Sequence, residues 1–298
     1  MEQGTIKKQN ESVMVPLCTS FVGLDSDGCV VDTMAAKQHG FLQPMLVKSF
    51  GLEAMADVYC ACADFVNLYS VTRGITRFKS MLLNFECFNR HPAVIAADFP
   101  RLPTEALRAF TESGLPMGDA ALVQWLETHR SSSLEKLLEW SRAVNRAILD
   151  SGVTFPAYEG AREALKRMWK RSDTGVVSQS PERVLEQDWG SQQLLPYVGQ
   201  IAGQELGDKV HQLTVLTEGK YLRERVLMIG DAPGDLAAAK AFGCRFYPIL
   251  PGREEASWAR FNETIYDAFY EERYTYEQEA ICVAEFERVL PSVPPWEQ

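Results

Sequence analysis

The stretch FVGLDSDGCVVDTM, residues 21–34, changes character at its fifth residue. An apolar run from Phe21 stops at Asp25, and a second carboxylate follows at Asp27, directly before Gly28. One interpretation is a polar turn, because Asp bonds its own backbone and Gly accepts positive φ. The other is a functional site, because like charges this close raise one another's pKa and need a cation to offset them. The stretch alone leaves both interpretations open.

The composition is that of a globular chain. Its 298 residues are 46% hydrophobic and 10% aromatic, which suffices for a sizeable core in one large or two medium domains. The 30 basic and 40 acidic residues give a formal net charge of -10, which disfavours a broad nucleic-acid-binding surface. A phosphate-bearing small molecule remains compatible with this charge, because local donors and a metal outweigh a distant net charge.

The amino-terminal segment shows no targeting pattern. The first ten residues are polar, and proline and hydroxyl residues interrupt the run 13–24, so we expect neither a signal peptide nor a membrane span. Seven scattered cysteines, an odd number without paired CxxC units, indicate reduced thiols and no zinc framework. These features predict a cytoplasmic protein that does not bind a membrane.

Five short runs of β-branched and apolar residues predict strands, and helical periodicity follows each of them. This alternation predicts parallel βαβ units, and therefore an α/β fold with a doubly wound parallel sheet. In such sheets the ligand crevice lies beyond the carboxyl ends of the strands, where Asp25 is expected. The predicted strands are 20–24, 174–177, 199–202, 226–229 and 245–250.

The interval 34–152 has apolar residues at helical spacing and few strand-like runs. We interpret it as an all-helical domain inserted into an α/β core formed by residues 14–33 and 153–298. The segment 253–290 is again helical and acidic; packing against the core and an oligomer contact are the two interpretations, so monomer and homodimer both stay open. The predicted helices of the insert are 54–88, 103–115, 120–130 and 134–149.

A second acidic cluster lies in VLMIGDAPGDLAAAKAFG, residues 226–243. Here a predicted strand ends at Asp231, and Asp235 opens an alanine-rich helix, where a carboxylate is also a reasonable cap. Two strands thus end in carboxylates at the same edge of one sheet. Four converging acids would repel one another unless a hard divalent cation joined them, and oxygen ligands favour Mg²⁺.

Two further candidates lie between the acidic clusters. In VVSQSPERVL, residues 176–185, Ser178 follows a strand and Ser180 precedes Pro181, which suits anion binding at a turn into a helix. Ser180 is also interpreted as an N-cap residue with proline at the first helical position, and the two interpretations are compatible. In GQELGDKVHQLTVL, residues 203–216, Lys209 begins a helix, where a lysine is poorly placed for the helix dipole.

Four motifs in this order resemble those of the haloacid dehalogenase superfamily of phosphotransferases. They are LDSDG with the following VVDT, VVSQS, the loop at Lys209, and MIGDAPGD. The resemblance covers roughly 21–33 and 155–250, and the helical insert matches in position and type. It implies a Rossmann-like core with a helical C1-type cap. Cys29 and Val210 stand where relatives often have threonine and proline, and neither position supplies reacting atoms.

The resemblance also implies a role for each acid. Asp25 would be the nucleophile that forms an aspartyl-phosphate, and Asp27 would be the general acid and base. Mg²⁺ would be held by the Asp25 carboxylate, the Asp27 backbone carbonyl and Asp231, with Asp235 supporting it through water. Because relatives that act on halides or phosphonates usually lack a carboxylate at the position of Asp27, the resemblance favours phosphate esters.

The remaining roles concern the phosphoryl group. Ser178 and the Gln179 amide would bind it, and Lys209 would screen the repulsion between Asp25 and an anionic substrate. The expected function is Mg²⁺-dependent hydrolysis of a small phosphorylated metabolite. Two alternatives stay open: a phosphomutase of the same superfamily, and a non-catalytic regulatory protein that binds a phosphorylated metabolite.

A basic helix face in the insert is a candidate for substrate binding. A helix through VNLYSVTRGITRFKS, residues 66–80, would place Ser70, Arg73 and Arg77 within about 60° of one another, at 100° per residue. Arginines suit a carboxylate or a second phosphate of the substrate. A solvated basic face is the alternative interpretation of Arg73 and Arg77.

Overall fold

A computed structural model describes residues 16–115 and 117–297, so the predicted start of the core at residue 14 lies outside the described residues. Five parallel strands form one sheet in the order β3-β2-β1-β4-β5. The predicted α/β fold with a doubly wound parallel sheet is confirmed. The strands are β1 (Phe21–Leu24), β2 (Asp173–Val177), β3 (Gln200–Ala202), β4 (Val226–Gly230) and β5 (Arg245–Pro248).

Between β1 and α9 (Glu159–Met168), the described residues form eight α-helices. They bury a hydrophobic cluster of their own, in which Phe85, Phe88 and Trp140 are among the largest fully buried side chains. The helices are α1 (Met34–Lys37), α2 (Gln43–Phe50), α3 (Ala56–Asn67), α4 (Arg77–Arg90), α5 (Pro92–Ala96), α6 (Glu105–Thr111), α7 (Asp119–Thr128) and α8 (Ser132–Ser151).

The predicted continuous helix 54–88 is wrong in its middle, because α3 ends at Asn67 and α4 begins at Arg77. The hydroxyl of Thr72 donates to the Val66 carbonyl at 2.7 Å, which supplies a partner that a continuing helix would have provided through its backbone. Gly74 then adopts a φ of 78°, a left-handed conformation that helices exclude. Residues 68–76 therefore form a loop, which we call the α3–α4 loop.

Seven further α-helices of the described residues flank the sheet. They are α9 (Glu159–Met168), α10 (Glu182–Ser191), α11 (Lys209–Thr217), α12 (Pro233–Phe242), α13 (Glu254–Arg260), α14 (Tyr266–Tyr270) and α15 (Tyr276–Val289). Shorter helical turns, of 3₁₀ or π type, are Gln38–Leu42, Glu53–Met55, Leu195–Tyr197, Gln204–Leu206, Arg223–Arg225, Phe261–Ile265 and Pro295–Glu297.

Alternating strand residues enter two hydrophobic layers, one on each face of the sheet. Leu227 and Ile229 of β4 pack in the layer that includes the C-terminal residues Trp258 and Tyr266. Val226 and Met228 pack on the opposite face, with residues of α11 and α12. Because both faces are covered, β1 and β4 consist only of apolar residues and glycine, which is typical of strands inside a parallel sheet. The segment after residue 253 thus packs onto the sheet.

Strand register brings the ends of β1 and β4 side by side. Leu24 pairs with Ile229 of β4 and with Val176 of β2, so β1 is the central strand. The Asp25 amide continues the ladder by donating to the Ile229 carbonyl at 2.9 Å. The carboxylates that follow these two strands consequently meet at one edge, as the parallel arrangement predicts.

Two chain segments, near residues 30–32 and 156–158, connect the sheet to helices α1–α8, and backbone hydrogen bonds join them. The Asp32 amide donates to the Pro156 carbonyl at 2.9 Å, and the Tyr158 amide donates to the Val30 carbonyl at 3.0 Å. The indole of Trp258 donates to the Cys29 carbonyl at 2.9 Å from behind. The segment that carries the first acidic motif is therefore anchored from both sides.

Candidate active site

Three buried carboxylates converge beyond the ends of β1 and β4. Asp25, Asp231 and Asp235 each place an oxygen within 4.8 Å of the others. Asp25 is 6% exposed, Asp231 1% and Asp235 0%. Burial of like charges is costly unless cations accompany them, and two cationic side chains reach this acid cluster.

Lys209 is the first of these cations. Its Nζ lies 2.9 Å from Asp25 Oδ1 and also contacts Asp235 Oδ1. Burial alone would lower the pKa of Lys209, but Asp235 and Asp25 outweigh it and raise that pKa, so the ammonium stays charged. Asp208 caps α11 by accepting from the His211 amide at 2.8 Å, which fixes the start of the helix that carries Lys209.

Asp235 connects the acid cluster to the backbone. Its Oδ2 accepts from the amides of Asp231 and Ala232, at 3.1 and 3.0 Å, at the start of α12. A Cβ on Gly230 would overlap the Asp235 carboxyl group, so glycine is required there. Asp235 thus fills the predicted capping role while one of its oxygens still faces Lys209.

Asp25 is strained electrostatically despite Lys209. Burial raises its pKa well above the usual value, the charge of Asp235 adds to this increase, and Lys209 offsets part of it. The Asp25 Oδ1 accepts from the Ser26 amide at 2.8 Å, which orients the carboxylate. A cation that joined the acid cluster would lower the pKa of Asp25 and favour its ionised form.

Arg73 is the second cation, and it comes from the α3–α4 loop. Its Nη2 and Nε lie 2.5 and 2.7 Å from Asp231 Oδ2, and its Nη1 donates to the Leu68 carbonyl at 2.9 Å. The Arg73 side chain is only 3% exposed. Burial raises the pKa of Asp231, Arg73 lowers it, and Asp235 raises it again, to about 6. Arg73 therefore lies in the acid cluster, although the helix that was predicted to carry it does not form.

Gly28 makes room for this ion pair. Its φ is 78°, and a Cβ there would lie 2.5 Å from Arg73 Nη2 and 2.6 Å from Asp231 Oδ2. Any side chain at this position would displace the guanidinium or the carboxylate. The glycine of the opening motif is therefore required by close approach as well as by backbone conformation.

Asp27 occupies a separate polar environment. Its Oδ1 accepts from Thr33 Oγ1 at 2.5 Å and pairs with Lys37 Nζ at 2.8 Å, and its Oδ2 accepts from Ser180 Oγ at 2.5 Å. Burial raises the pKa of Asp27, but Lys37 and the three hydrogen bonds outweigh it and lower that pKa to about 2. Asp27 is thus ionised in this arrangement.

Two of these partners were missed from the sequence. Lys37 lies on α1 one turn after Thr33, and nothing in its local pattern distinguishes it from a surface lysine. Ser180 was predicted as an alternative N-cap residue, but Pro181 occupies the N-cap position of α10 and the Ser180 hydroxyl bonds Asp27 instead. The N-cap interpretation of Ser180 is wrong, because α10 begins at Glu182, one residue later than the pattern predicts.

Ser178 and Gln179 lie in the turn after β2. The Ser178 hydroxyl accepts from the Ser180 amide at 3.2 Å, and its carbonyl accepts from Gln212 Nε2 at 2.8 Å. The exposed Gln179 side chain donates to the Gly207 carbonyl at 3.0 Å, just before Lys209. The turn is therefore tied to the Lys209 loop, while phosphoryl binding by these two residues stays a prediction.

Arg77 is not brought to the acid cluster. Its Nη1 donates to Ser141 Oγ at 2.7 Å and to Asn145 Oδ1 at 2.9 Å, both on α8. The predicted common face of Arg73 and Arg77 does not form, because Arg73 lies in the α3–α4 loop whereas Arg77 begins α4. A substrate contact by Arg77 stays a prediction without support from these hydrogen bonds.

The acid cluster has the donors that a hard divalent cation prefers. All three side chains offer carboxylate oxygens, and Asp231 Oδ1 is buried without a hydrogen-bond partner in the described residues. Buried acceptors are normally satisfied, so an unpartnered carboxylate oxygen facing other carboxylates is suited to a cation. The residues present therefore fit a divalent metal site.

Comparison with known proteins assigns the family. The model of the haloacid dehalogenase-like hydrolase family matches residues 102–249, which include β2, Lys209, Asp231 and Asp235. The acids of the opening motif precede the matched range and lie against it in space. The chain belongs to the haloacid dehalogenase superfamily, as its four motifs predict. A comparison with curated protein sequences gave no match.

Several solved structures resemble this one at low identity. A haloacid dehalogenase-like hydrolase from Xanthomonas campestris is 13% identical, with 89% of this chain and 96% of that chain covered and a TM-score of 0.45. One from Streptococcus pneumoniae is 12% identical, with 82% and 91% covered and a TM-score of 0.43. A superfamily hydrolase from Geobacter sulfurreducens is 17% identical, with 78% and 87% covered and a TM-score of 0.38. Similarity at this level does not indicate a substrate.

Within residues 16–115 and 117–297, the helices are too short or too polar to cross a lipid bilayer.

Proposed function

We propose that this protein is a Mg²⁺-dependent phosphoric monoester hydrolase that acts on a small phosphorylated metabolite. The observation that carries the proposal is the separation of two acids only two residues apart. Asp25 faces Lys209 within the buried acid cluster, whereas Asp27 turns to Lys37, Thr33 and Ser180. This separation supports attack on phosphorus by Asp25 and proton transfer by Asp27.

The first half-reaction transfers the phosphoryl group to Asp25. A bond forms between an Asp25 oxygen and phosphorus as the bond from phosphorus to the ester oxygen breaks, and the ester oxygen takes a proton from Asp27. The second half-reaction regenerates the enzyme. Water attacks phosphorus and gives a proton to Asp27, the bond to Asp25 breaks, and inorganic phosphate leaves. Dividing a hard displacement into two easier ones is the gain from covalent catalysis.

The positive charge that this reaction needs would come from a bound Mg²⁺ and from Lys209. Asp25, Asp231 and the Asp27 carbonyl would hold Mg²⁺, with Asp235 supporting it through water. When bound, the ion neutralises charge on the non-bridging phosphoryl oxygens. Lys209 offsets the repulsion between the Asp25 carboxylate and an anionic ester, and we expect Ser178 and the Gln179 amide to bind the phosphoryl group.

Asp27 cannot donate a proton while its present contacts last, because a pKa of about 2 keeps it ionised. Loss of the Lys37 ion pair removes the main interaction that lowers this pKa and favours the protonated acid. Lys37 lies on the first helix of residues 34–152, which we propose act as a cap over the site. Movement of these helices would therefore couple substrate entry to the readiness of Asp27.

The test separates the two acids by their dependence on the leaving group. With Mg²⁺, wild type should release phosphate from alkyl phosphate esters, and Asp25→Asn should lose at least about 10³-fold in kcat. Asp27→Asn should also lose alkyl ester hydrolysis. With p-nitrophenyl phosphate, whose leaving group needs no proton, it should release a burst of about one nitrophenolate per enzyme and then stall.

Asp32→Asn is the matched control, because Asp32 lies in the same motif but bonds only the Tyr158 hydroxyl, at 3.2 Å, among the described side chains. We expect its hydrolysis rates to equal those of wild type. Wild-type rates in Asp25→Asn would contradict the proposal. Binding of phosphorylated ligands without turnover would favour the regulatory alternative, and transfer of phosphate between positions of one hexose phosphate would indicate a mutase.

A further inference from the structure

The two cations of the acid cluster are held in different ways. Lys209 begins α11, a helix packed on the sheet, and its ammonium bridges Asp25 and Asp235. Arg73 lies on the α3–α4 loop, which has no regular secondary structure. Lys209 is thus attached to a helix of the core, whereas Arg73 reaches the acid cluster from a loop of the insert.

Contacts of Val71, Arg73 and Gly74 join the α3–α4 loop to the rest of the molecule. The Val71 amide donates to the Pro291 carbonyl at 3.3 Å, a long hydrogen bond. Gly74 approaches α12 so closely that a Cβ there would lie 2.6 Å from Ala232 Cβ. Arg73 forms an ion pair with Asp231, and its Nε also donates to the Asp231 carbonyl at 3.1 Å, so loss of this pair would weaken the attachment of the loop to the core.

Charge balance sets Arg73 against a metal ion. With all three carboxylates ionised, the two cationic side chains leave one negative charge in the acid cluster. A divalent cation added to this set would produce one excess positive charge in a buried site, which is costly. If Arg73 leaves, the same divalent cation balances the remaining charges. Both cations also use the single charge of the Asp231 carboxylate, whose Oδ2 accepts from the guanidinium and whose Oδ1 is buried without a hydrogen-bond partner in the described residues.

We propose that Arg73 is an internal counter-ion that competes with the divalent cation for Asp231, so that metal binding releases the α3–α4 loop from the core. Arg73 then acts on metal affinity as a positioning residue and is not a catalytic residue. The inference deepens the proposed function and rests on it only in taking Asp231 as a ligand of the metal.

The first test is calorimetric titration of the purified chain with Mg²⁺ at pH 8, above the pKa of Asp231. Arg73→Met removes the charge and keeps an unbranched apolar side chain. We expect this variant to bind Mg²⁺ about tenfold more tightly than wild type, since one competing charge is lost. Arg77→Met is the matched control, because Arg77 is also a largely enclosed arginine of the insert but bonds α8; its Mg²⁺ affinity should equal that of wild type.

The second test needs no variant. Hydrogen exchange of the amides of residues 68–76 in wild type should become at least about threefold faster when Mg²⁺ saturates the site, because the loop loses its ion pair. Exchange in α8 should not change. Unchanged or slower exchange in the loop would overturn the proposal, even if Arg73→Met fails to fold.

The outcomes separate this inference from the proposed function. Equal Mg²⁺ affinity in wild type and Arg73→Met overturns the competition and leaves the hydrolase proposal standing. Tighter binding in Arg73→Met, with loss of binding in Asp231→Asn, supports the competition even if no ester is hydrolysed. Absence of Mg²⁺ binding in both wild type and Arg73→Met overturns both proposals.

Discussion

Two ion pairs in one buried acid cluster have different origins. Lys209 joins three segments of the α/β core. Asp25 follows β1, Asp235 lies on α12, and Lys209 itself begins α11. The Arg73 pair joins the sheet to the helical insert, through a loop between α3 and α4. The first is therefore a permanent part of the core, whereas the second depends on how the insert rests on the sheet. A buried charge cluster can thus combine a fixed counter-ion with a removable one.

Removing the fixed counter-ion should have the largest effect. Lys209→Met leaves Asp25 and Asp235 without their shared cation, and we expect a loss of about 3–5 kcal/mol in the free energy of unfolding. Urea unfolding at pH 7 measures it. Lys48→Met, at an exposed position on α2, is the control and should change the stability by less than about 0.5 kcal/mol. A loss below 1 kcal/mol in Lys209→Met would mean that the acid cluster does not depend on Lys209.

Displacing the removable counter-ion without deleting its charge should cost less. In Gly28→Ala a methyl group would take the space of Arg73 Nη2, and the left-handed backbone adds strain, so we expect a loss of about 2–4 kcal/mol. Gly114→Ala measures the strain alone, because Gly114 has the same φ of 78° and no atom within 4 Å of a Cβ. Its cost should be about 1–2 kcal/mol. Equal losses of stability in the two variants would show that Arg73 can be displaced from Asp231 at no cost.

Loosening the support of the α3–α4 loop should have a smaller effect. Trp296, near the C-terminus, packs on the helical insert. Its ring centroid lies 4.9 Å from that of His91 and 6.0 Å from that of Phe65. Because this indole is only partly buried, Trp296→Ala should cost about 1–2 kcal/mol.

Hydrogen exchange of Val71, whose amide bonds Pro291, should rise in Trp296→Ala. Trp169→Ala is the control. This indole follows α9 in the α/β core and is 48% exposed, so its removal should leave the hydrogen exchange of Val71 unchanged. If both variants change Val71 exchange equally, the C-terminal segment does not hold the loop.

The ion pair outside the acid cluster should have the smallest effect at neutral pH. Lys37→Met should cost about 0–1 kcal/mol at pH 7, because the pair is partly exposed. This cost should shrink as the pH falls and Asp27 becomes protonated. The pKa of Asp27 is about 2 in the folded protein, below the usual 3.8, so the stabilisation is present above about pH 4 and is lost as pH falls toward 2.

Urea unfolding between pH 5 and pH 3 tests this sign. The wild type should lose more stability over this interval than Lys37→Met, since the variant no longer lowers the pKa of Asp27. Asp27→Asn should remove the difference between the lysine and methionine forms. Parallel pH profiles for wild type and Lys37→Met would contradict the cause assigned to the lowered pKa.

The strands and their acids could be predicted because each signal is local. An apolar run that ends at Asp25 or Asp231 marks the end of a strand, and parallel pairing brings such ends together. The position of Lys209 was also predictable, because it begins a helix that packs on the same sheet. The α3–α4 loop was not, because helical periodicity in 54–88 does not register the Thr72 hydroxyl bond or the contact between Gly74 and Ala232.

The partners of Asp27 and Asp231 lay beyond prediction for a related reason. Ser180 is 153 residues from Asp27, and Arg73 is 158 residues from Asp231. Arg73 was singled out for a substrate contact, on a helix that does not form, and its contact with an acid of the core carries no sequence signal.

The sequence by itself determined the α/β order of elements, the parallel sheet and the acids at its edge. These follow from residue periodicity and from the rule that parallel strands end together. Only the tertiary structure decided which cation faces which acid. Charges pair through space with whichever side chain arrives at the right distance, and that arrival depends on the packing of segments far apart in the chain. Lys209 and Arg73 are both cations near acids, and the packing makes one a fixed part of the core and leaves the other on a loop that can lift.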